Sequence, residues 1–332
     1  MDAHSIEALN PAENSPMRRV ALIYNPASGQ LWRQPRTAIE RAAGILRDAG
    51  IEVQTLETQG AGAAETLAKD AVRRGFDTII ACGGDGTVHE VLQQVVGTDV
   101  ALGVLPLGTA NALAANLGLL LPPVKAIRKL LAAEPVRVPV GRISYRTGSG
   151  ETRTRYFTVA AGVGADALFL SRLDAGLKRR LGYVLYLVEA FRVWATHSFP
   201  LFEAAFEECA SCRPRTVEIS QLLAVRIRDF GGVLHNLAPG ATLHNDGLRL
   251  VAFKTRSRYQ YLRFLLAVVF GRQTFTRQIE LLDAVSVECR PCNRSRTRVF
   301  AEADGELLGQ LPVRIEIVPD AVTLLIPRNA RP

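Results

Sequence analysis

The sequence predicts a two-domain protein in which an α/β domain with a mostly parallel sheet precedes an antiparallel β-sandwich. From Arg19 to about Val136, short apolar runs alternate with helical runs, which is the pattern of βαβ units. After Pro139 the runs alternate apolar with polar residues between turns, which is typical of a sandwich. The length of 332 residues and the hydrophobic content of 48% allow two cores.

In the first half, each strand is predicted to lead through a short loop into a helix. The strands span residues 19–24, 77–81 and 101–105, and the helices span 37–49, 63–74, 88–95, 110–117 and 124–133. Parallel strands of this kind end at one edge of the sheet, and ligands bind in the crevice beyond that edge. The loops that follow the strands are therefore the candidate binding residues.

The second half is predicted to be mainly β-structure with two helical interruptions. Alternation of apolar and polar residues marks each strand. The predicted strands are residues 156–160, 202–206, 217–228, 248–254, 284–288, 298–302 and 313–317, and the helices are 178–196 and 257–270. Neither helical run is long and apolar enough to cross a bilayer of about 30 Å.

Residues 83–91, Gly-Gly-Asp-Gly-Thr-Val-His-Glu-Val, form the most informative motif. Three glycines within four positions let the backbone approach an anion and adopt positive φ at little cost. The N–H groups of the following helix favour negative charge, so the motif predicts a phosphate-binding turn. Asp85 would repel phosphate and is expected to act through Mg²⁺ or to accept a proton. The alternative is a plain turn with Asp85 as the N-cap.

Two further loops follow the other strands. Residues 25–29 read Asn-Pro-Ala-Ser-Gly, a set of amide, hydroxyl and glycine groups that suits a nucleotide phosphate or ribose. Residues 105–111 read Leu-Pro-Leu-Gly-Thr-Ala-Asn and precede an alanine-rich helix. All three loops are predicted to border one crevice.

These loops, in this order, resemble the diacylglycerol kinase catalytic-domain family, which includes bacterial lipid kinases, sphingosine kinases and ceramide kinases. Further matching motifs lie at residues 161–167, 231–232 with 238–241, 246–248 and 303–306. The resemblance covers about residues 19–326 and implies the fold shared by NAD kinases and diacylglycerol kinases. The expected domains are a Rossmann-like nucleotide-binding domain at 18–138 plus 320–332 and a lipid-substrate β-sandwich at 139–319. Residues 1–17 are expected to be a disordered leader, because they are polar and lack an apolar core.

The resemblance implies an ATP- and Mg²⁺-dependent lipid kinase that phosphorylates a hydroxyl of a lipid such as diacylglycerol. The alternatives are an NAD kinase, whose family shares the Gly-Gly-Asp-Gly turn but not the following Pro-Leu-Gly-Thr-Ala-Asn, and a non-catalytic lipid-binding module. The expected ATP-binding residues are Asn25, Pro26, Ala27, Ser28, Gly29, Thr58, Gly83, Gly84, Asp85, Gly86, Thr87, Val88, His89, Glu90, Gly108, Thr109 and Asn111.

The resemblance also places Asp304-Gly305-Glu306 at the cleft between the domains, facing the nucleotide. Phosphoryl transfer needs a carboxylate that accepts the proton of the attacking hydroxyl. Asp304 or Glu306 is therefore expected to be catalytic, together with Asp85. The alternative for this motif is a solvated Asp-Gly hairpin turn.

A metal site is implied at Asp246, with the carbonyls of Leu243 and Leu248 as further ligands. Mg²⁺ keeps several waters and needs few protein ligands, so this set would suffice. The alternative is a simple β-turn. Two positions depart from the family pattern: Ala112 stands where members often carry aspartate, and His89 replaces a frequent asparagine.

The charge of the chain favours an anionic partner. The formal net charge is +8, and no helix-turn-helix, zinc-finger array or RNA-binding motif points to nucleic acid. An anionic membrane surface is the expected partner, contacted through Lys178-Arg179-Arg180 and the apolar residues after them, although core packing is the alternative. Since no secretory signal is visible, a cytoplasmic protein peripheral to the membrane is expected. The sequence leaves open whether the protein forms a homodimer.

The cysteines pose a separate question. Cys209 and Cys212 form one pair and Cys289 and Cys292 another, with a spacing that suits a tetrahedral zinc site if the two hairpin tips meet. Redox or accidental pairing is the alternative. Cys82 is expected to be a buried strand residue.

Overall fold

The structure is a computed structural model and describes residues 17–28, 35–148, 150–165, 196, 198–208, 214–230, 236–272, 274–292, 298–328 and 330. Several predictions lie outside these residues. They concern Gly29, the helix at 178–196 with its basic start, the glycines at 231–232, and Cys209 and Cys212.

The predicted parallel α/β domain is confirmed. Its strands β1 to β4 pair in parallel in the order β4-β3-β1-β2. The elements are β1 Arg19–Tyr24, α1 Pro35–Asp48, β2 Glu52–Glu57, α2 Ala63–Arg73, β3 Thr78–Gly83, α3 Asp85–Val95, β4 Ala101–Pro106, α4 Ala112–Asn116 and α5 Pro123–Leu131. Every residue of β3 and β4 is buried, because helices cover both faces of a parallel sheet.

Two long strands tie the domains together. β5 (Ala133–Arg146) and β15 (Glu306–Pro327) pair antiparallel along most of their length. The far end of β15 also pairs in parallel with β4, so the chain returns to the first sheet. The boundary expected at residues 138/139 falls inside β5. Pro139 is accommodated there because the facing segment of β15 shifts register between Val318 and Val322.

The second domain is an antiparallel sandwich, as predicted. One layer has the order β12-β11-β10-β7-β14-β15 and the other β9-β8-β13-β15-β5-β6, with a shared core between them. The remaining strands are β6 Thr152–Phe157, β7 Ala160–Val163, β8 Phe202–Glu207, β9 Arg215–Ile219, β10 Gln221–Val225, β11 Leu248–Phe253, β12 Ile279–Ala284, β13 Ser286–Pro291 and β14 Phe300–Ala303.

Several predicted strands have different bounds in the structure, and the run at 156–160 is divided between β6 and β7. The run at 217–228 is divided between β9 and β10 at Ser220, and the run at 284–288 is divided between β12 and β13. The run at 313–317 is only the middle of β15. Alternation of apolar and polar residues continues across such corners, so the sequence pattern does not reveal them.

Helix α6 (Arg258–Val269) lies on the outer face of β10, β11 and β12. It corresponds to the helix predicted at 257–270. Among the helices that the structure describes, none has the length and apolar character needed to cross a membrane.

Candidate active site

The three strand-end loops meet at one edge of the parallel sheet. The N–H of Asn25 donates to the carbonyl of Cys82, and the N–H of Leu107 donates to the carbonyl of Gly83. A Cβ added to Gly108 would lie 2.4 Å from the Cα of Gly84, so only glycine permits this approach of the two loops. The crevice predicted from the loops is therefore formed by neighbouring backbones.

The glycines of the turn at residues 83–86 serve a purpose other than the one expected. None of the three has a positive φ, and Gly84 is extended at φ −93° and ψ −173°. A Cβ on Gly83 would instead lie 2.4 Å from Oγ1 of Thr87. The expectation of left-handed backbone was wrong, and the requirement for glycine here is one of space.

The Asp85 side chain caps a helix other than its own. Its Oδ1 accepts the N–H of Ala112 at 2.7 Å, at the start of α4. Burial raises the pKa of this carboxyl, the Ala112 N–H lowers it, and nearby Asp304 raises it, with a net increase. Residue 112 makes this hydrogen bond through its backbone, so an alanine can supply it where the family often has an aspartate.

Side chains hold the other two loops in shape. Oδ1 of Asn25 accepts the N–H of Ala27 at 2.9 Å. Asn111, at φ 51°, exchanges two hydrogen bonds with the backbone of Gly108, at 2.9 and 2.8 Å. Thr58 lies beside the first loop, because its N–H donates to the carbonyl of Tyr24. These residues give the crevice a defined backbone shape.

Asp304 and Gly305 form the two-residue turn between β14 and β15, with φ of 48° and 85°. The hairpin alternative was right about this turn, but not about solvation, because the Asp304 side chain is only 4% exposed. Its Oδ1 accepts the N–H groups of Val159 and Ala160, and its Oδ2 accepts that of Thr158, at 2.9 to 3.1 Å. Asp304 is thus an anchored, desolvated carboxylate.

His89 joins this carboxylate to Glu306. The imidazole is 1% exposed, with Nδ1 3.5 Å from Oδ2 of Asp304 and Nε2 3.6 Å from Oε2 of Glu306. Burial lowers the pKa of His89, but the two carboxylates raise it by more. His89 therefore contacts the acidic pair at the bottom of the crevice, a position that its place in the glycine motif did not predict.

Glu306 is the accessible member of the pair. Its side chain is 41% exposed, and its Oε1 lies 3.9 Å from a Cβ built on Gly86. The hairpin of the second domain therefore faces the glycine turn of the first. Burial raises the pKa of Glu306, His89 lowers it, and the net direction is upward. A carboxyl whose pKa is raised is a stronger proton acceptor than an ordinary glutamate.

Two predicted site residues, Val88 and Glu90, make structural contacts. Glu90 accepts the N–H groups of Gly62 and Ala64 at 2.8 and 2.9 Å, at the start of α2. Val88 packs in the core of the first domain. Glu90 thus supports the start of α2, although its charge also raises the pKa of Glu306, and Val88 contributes to packing.

Sequence reasoning missed two residues near the cleft. Arg155 on β6 pairs with both carboxylate oxygens of Glu65 at 3.0 Å and lowers the pKa of Glu306. Asn116 on α4 donates to the carbonyl of Asp229 and thereby ties the two domains together. Neither lies in a recognisable motif, so the sequence contains no signal that would have found them.

The expected metal-binding loop surrounds an arginine. Arg226 is 1% exposed and donates to the carbonyls of Pro139, Leu243, Asn245 and Gly247 at 2.6 to 3.1 Å. Burial lowers its pKa to about 10, which leaves it charged at neutral pH. Arg226 is the charged residue within the apolar run of residues 222–227, and the sequence analysis did not use this indication of a buried charge.

These contacts do not fit a resident Mg²⁺ at Leu243, Asp246 and Leu248. The Leu243 carbonyl already accepts a hydrogen bond from the guanidinium, and a divalent cation beside it would be repelled. Asp246 lies close enough to influence the pKa of Arg226. The loop already contains a cation, the guanidinium of Arg226.

The described cysteines lie in the sandwich. Cys289 is buried on β13, which raises the pKa of its thiol, and Cys292 is buried beside Glu218. Cys82 is buried in β3, as expected. In the part of the chain that the structure describes, no group of three or more His, Cys, Asp or Glu side chains is arranged for a metal ion.

Comparison with known proteins gives consistent matches over both domains. Residues 19–143 match the diacylglycerol kinase catalytic domain, and residues 158–326 match the YegS C-terminal NAD kinase beta sandwich-like domain. A diacylglycerol kinase of Bacillus subtilis is 28% identical over 309 residues, covering 89% of this chain and 92% of that protein. A probable lipid kinase YegS of Salmonella heidelberg is 32% identical over 299 residues, covering 87% and 91%.

The fold is shared with solved structures. A putative diacylglycerol kinase from Bacillus anthracis superposes with a TM-score of 0.73 at 19% identity, covering 95% of this chain and 99% of that one. At this identity the likeness concerns the fold alone.

Proposed function

This chain belongs to the family of diacylglycerol kinases and YegS-like lipid kinases and is a lipid kinase, and we propose that it transfers the γ-phosphoryl group of ATP to a lipid hydroxyl. One observation carries the mechanism. The carboxylate of Glu306 faces the glycine turn, with Oε1 3.9 Å from a Cβ position on Gly86. A hydroxyl placed between them would lie beside both a proton acceptor and the expected phosphate site.

We propose that ATP binds across the loops at residues 25–28, 83–87 and 108–111. The start of α3 offers N–H groups to phosphate. Gly86 is exposed there, so a ligand can reach this backbone. Gly84 and Gly108 leave no side-chain atoms between the two loops. The lipid hydroxyl would enter from the second domain, beside Glu306.

Glu306 is the proposed proton acceptor, and Asp304 holds His89 beside it. Three backbone N–H groups and His89 occupy the buried oxygens of Asp304, whereas the Glu306 carboxylate is accessible. The raised pKa of Glu306 brings its proton affinity closer to that of a catalyst working at neutral pH.

Mg²⁺ would neutralise charge on the transferred phosphoryl group when bound with ATP. Asp85 fits this ion, because it is a hard oxygen donor at the mouth of the glycine turn. The nearby charge of Asp304 raises the pKa of Asp85, and a bound cation would offset this repulsion between the two carboxylates. Ala112 contributes no second carboxylate at this point.

The test of the proposal is a comparison of acceptors. Purified protein with labelled ATP and Mg²⁺ is offered diacylglycerol, phosphatidylglycerol, a sphingoid base and ceramide in mixed micelles, and NAD in solution. We expect a labelled lipid and little NADP, since relatives that match 89% and 87% of this chain are named diacylglycerol kinase and probable lipid kinase. Robust NADP formation with no labelled lipid would reject the proposal.

His89→Asn is expected to move the acidic limb of the kcat profile to higher pH. Catalysis needs deprotonated Glu306, so kcat rises with pH through the pKa of this carboxyl. Protonated His89 lowers that pKa, and removing its charge raises it further. The measurement is kcat from about pH 5 to about pH 8 at saturating ATP and lipid.

The matched control for this prediction is His244→Asn, since His244 is exposed and lies on the loop before β11. Its profile should coincide with that of the wild type. If the profile of His89→Asn coincides as well, His89 does not influence the proton acceptor.

We propose further that the protein works in the cytoplasm on lipid held in a membrane. The net charge of +8 supports contact with an anionic surface. The contact expected at Lys178, Arg179 and Arg180 lies outside the described residues.

A further inference from the structure

Helix α6 is apolar on two faces, and the described residues cover only one of them. Phe264 and Val268 face the sheet and are buried. The other face carries six large apolar side chains that are 36% to 74% exposed and recur at three- and four-residue spacing: Tyr259, Leu262, Leu265, Leu266, Val269 and Phe270. A continuous exposed apolar face of this kind marks an interaction surface.

The helix is firmly attached through its inner face. The ring of Tyr261 stacks on Phe253 at 4.6 Å, and Phe264 meets Phe253 edge-on at 5.2 Å. The hydroxyl of Tyr261 lies 2.8 Å from Oγ of Ser220. Turning the exposed residues inward would break these contacts, so their exposure belongs to the folded state.

Basic residues lie on α6 and directly after it, namely Arg258, Arg263 and Arg272, whereas Arg249 and Lys254 are paired with carboxylates. The chain has seven basic residues and no acidic one between Asp246 and Glu280. Two of them, Arg263 and Arg272, line a cavity of about 210 Å³ together with the apolar Phe264, Ala267 and Ile279. Within the described residues, neither guanidinium has a carboxylate partner. The cavity thus offers positive charge beside apolar surface.

We propose that α6 docks on an anionic phospholipid leaflet, with its apolar side chains among the acyl chains and Arg263 and Arg272 on a lipid phosphate. A basic, apolar helix face is the pattern of a helix that lies in a membrane interface. A second copy of this chain would bring the same positive charge to the contact and be repelled. The inference rests on the proposed function, because the lipid acceptor resides in such a leaflet.

The test measures binding of the full chain to vesicles in the absence of ATP. The vesicles contain phosphatidylcholine alone or with phosphatidylglycerol. One variant combines Arg263→Gln with Arg272→Gln, and another combines Leu262→Ser, Leu266→Ser and Phe270→Ser. Arg41→Gln and Leu120→Ser are controls, because both side chains are exposed elsewhere on the molecule.

We expect the wild type to bind anionic vesicles more tightly than neutral ones. The arginine pair should weaken that binding about 30-fold, since each basic residue near an anionic leaflet contributes about fivefold. The apolar variant should lose binding to both kinds of vesicle. All variants should keep wild-type activity on a short-chain diacylglycerol dissolved as monomers, because the active site is unchanged.

Equal vesicle binding by the wild type and both variants would overturn the proposal. So would a wild type that binds anionic vesicles no more tightly than neutral ones. A concentration-dependent dimer that the apolar variant dissociates would show instead that this face joins two copies. Failure of the proposed kinase function would give a different result from failure of the docking proposal. Vesicle binding would still depend on α6, but no lipid acceptor would be phosphorylated, even when it is dissolved as a monomer.

Discussion

Glu306→Gln is expected to lower kcat by about 10²–10⁴-fold, the usual contribution of a general base. Glutamine has the same shape but cannot accept the proton of the attacking hydroxyl. ATP affinity should be unchanged, because the expected phosphate contacts come from the backbone of the loops. The measurement is kcat with saturating lipid, combined with calorimetry of ATP binding.

The matched control is Glu288→Gln, which removes a surface carboxylate paired with Arg290 on β13. It should retain wild-type kcat. Wild-type turnover by Glu306→Gln would remove this residue as the proton acceptor and leave Asp304 or Asp85 for that role.

Asp304→Asn serves as a diagnostic companion to this experiment. Its carboxylate accepts three backbone N–H groups, and an amide nitrogen would face some of these donors. A buried donor left without an acceptor costs about 1–3 kcal/mol. We therefore expect lower thermal stability as well as lower kcat, whereas Glu306→Gln should affect kcat alone.

Gly84→Val is the second change with a large expected effect, and it acts on nucleotide binding. A Cβ at this position lies 3.4 Å from the Cα of Gly108, so the valine methyl groups would force the two loops apart. Loss of two charge-assisted hydrogen bonds to phosphate, at about 1.5–3 kcal/mol each, weakens ATP binding by about 10²–10⁴-fold. Calorimetry of the folded variant tests this.

Gly44→Val is the control for this change, since nothing lies within 4 Å of a Cβ at that position on α1. It should bind ATP like the wild type. Unchanged ATP affinity in a folded Gly84→Val protein would exclude the turn as the phosphate site.

Several features of the fold were readable from the sequence because they depend on local patterns. Buried parallel strands appear as short apolar runs, and β1 and β4 were located to within one residue. The loops after β3 and β4 were recognisable from their glycines. The order of these motifs identified the family, which the comparisons confirm.

Other features needed the tertiary structure because they depend on partners distant in sequence. In the sequence, Asp304 and Asp85 are both carboxylates beside a glycine in a short motif. In the structure, Asp304 is held by the N–H groups of residues 158–160, whereas Asp85 caps α4. No spacing within either motif encodes those partners.

The sequence by itself determined the α/β and sandwich domains and the crevice loops, since each follows from residue types at short spacing. The resemblance of its motifs to a known family added the carboxylates Asp304 and Glu306 as candidates. Only the tertiary structure decided that Glu306 is the accessible carboxylate, that His89 bridges the pair and that Arg226 fills the loop expected to bind metal. The physical reason is that desolvation, proximity of charges and competition for carbonyl groups are set by residues that meet only after folding.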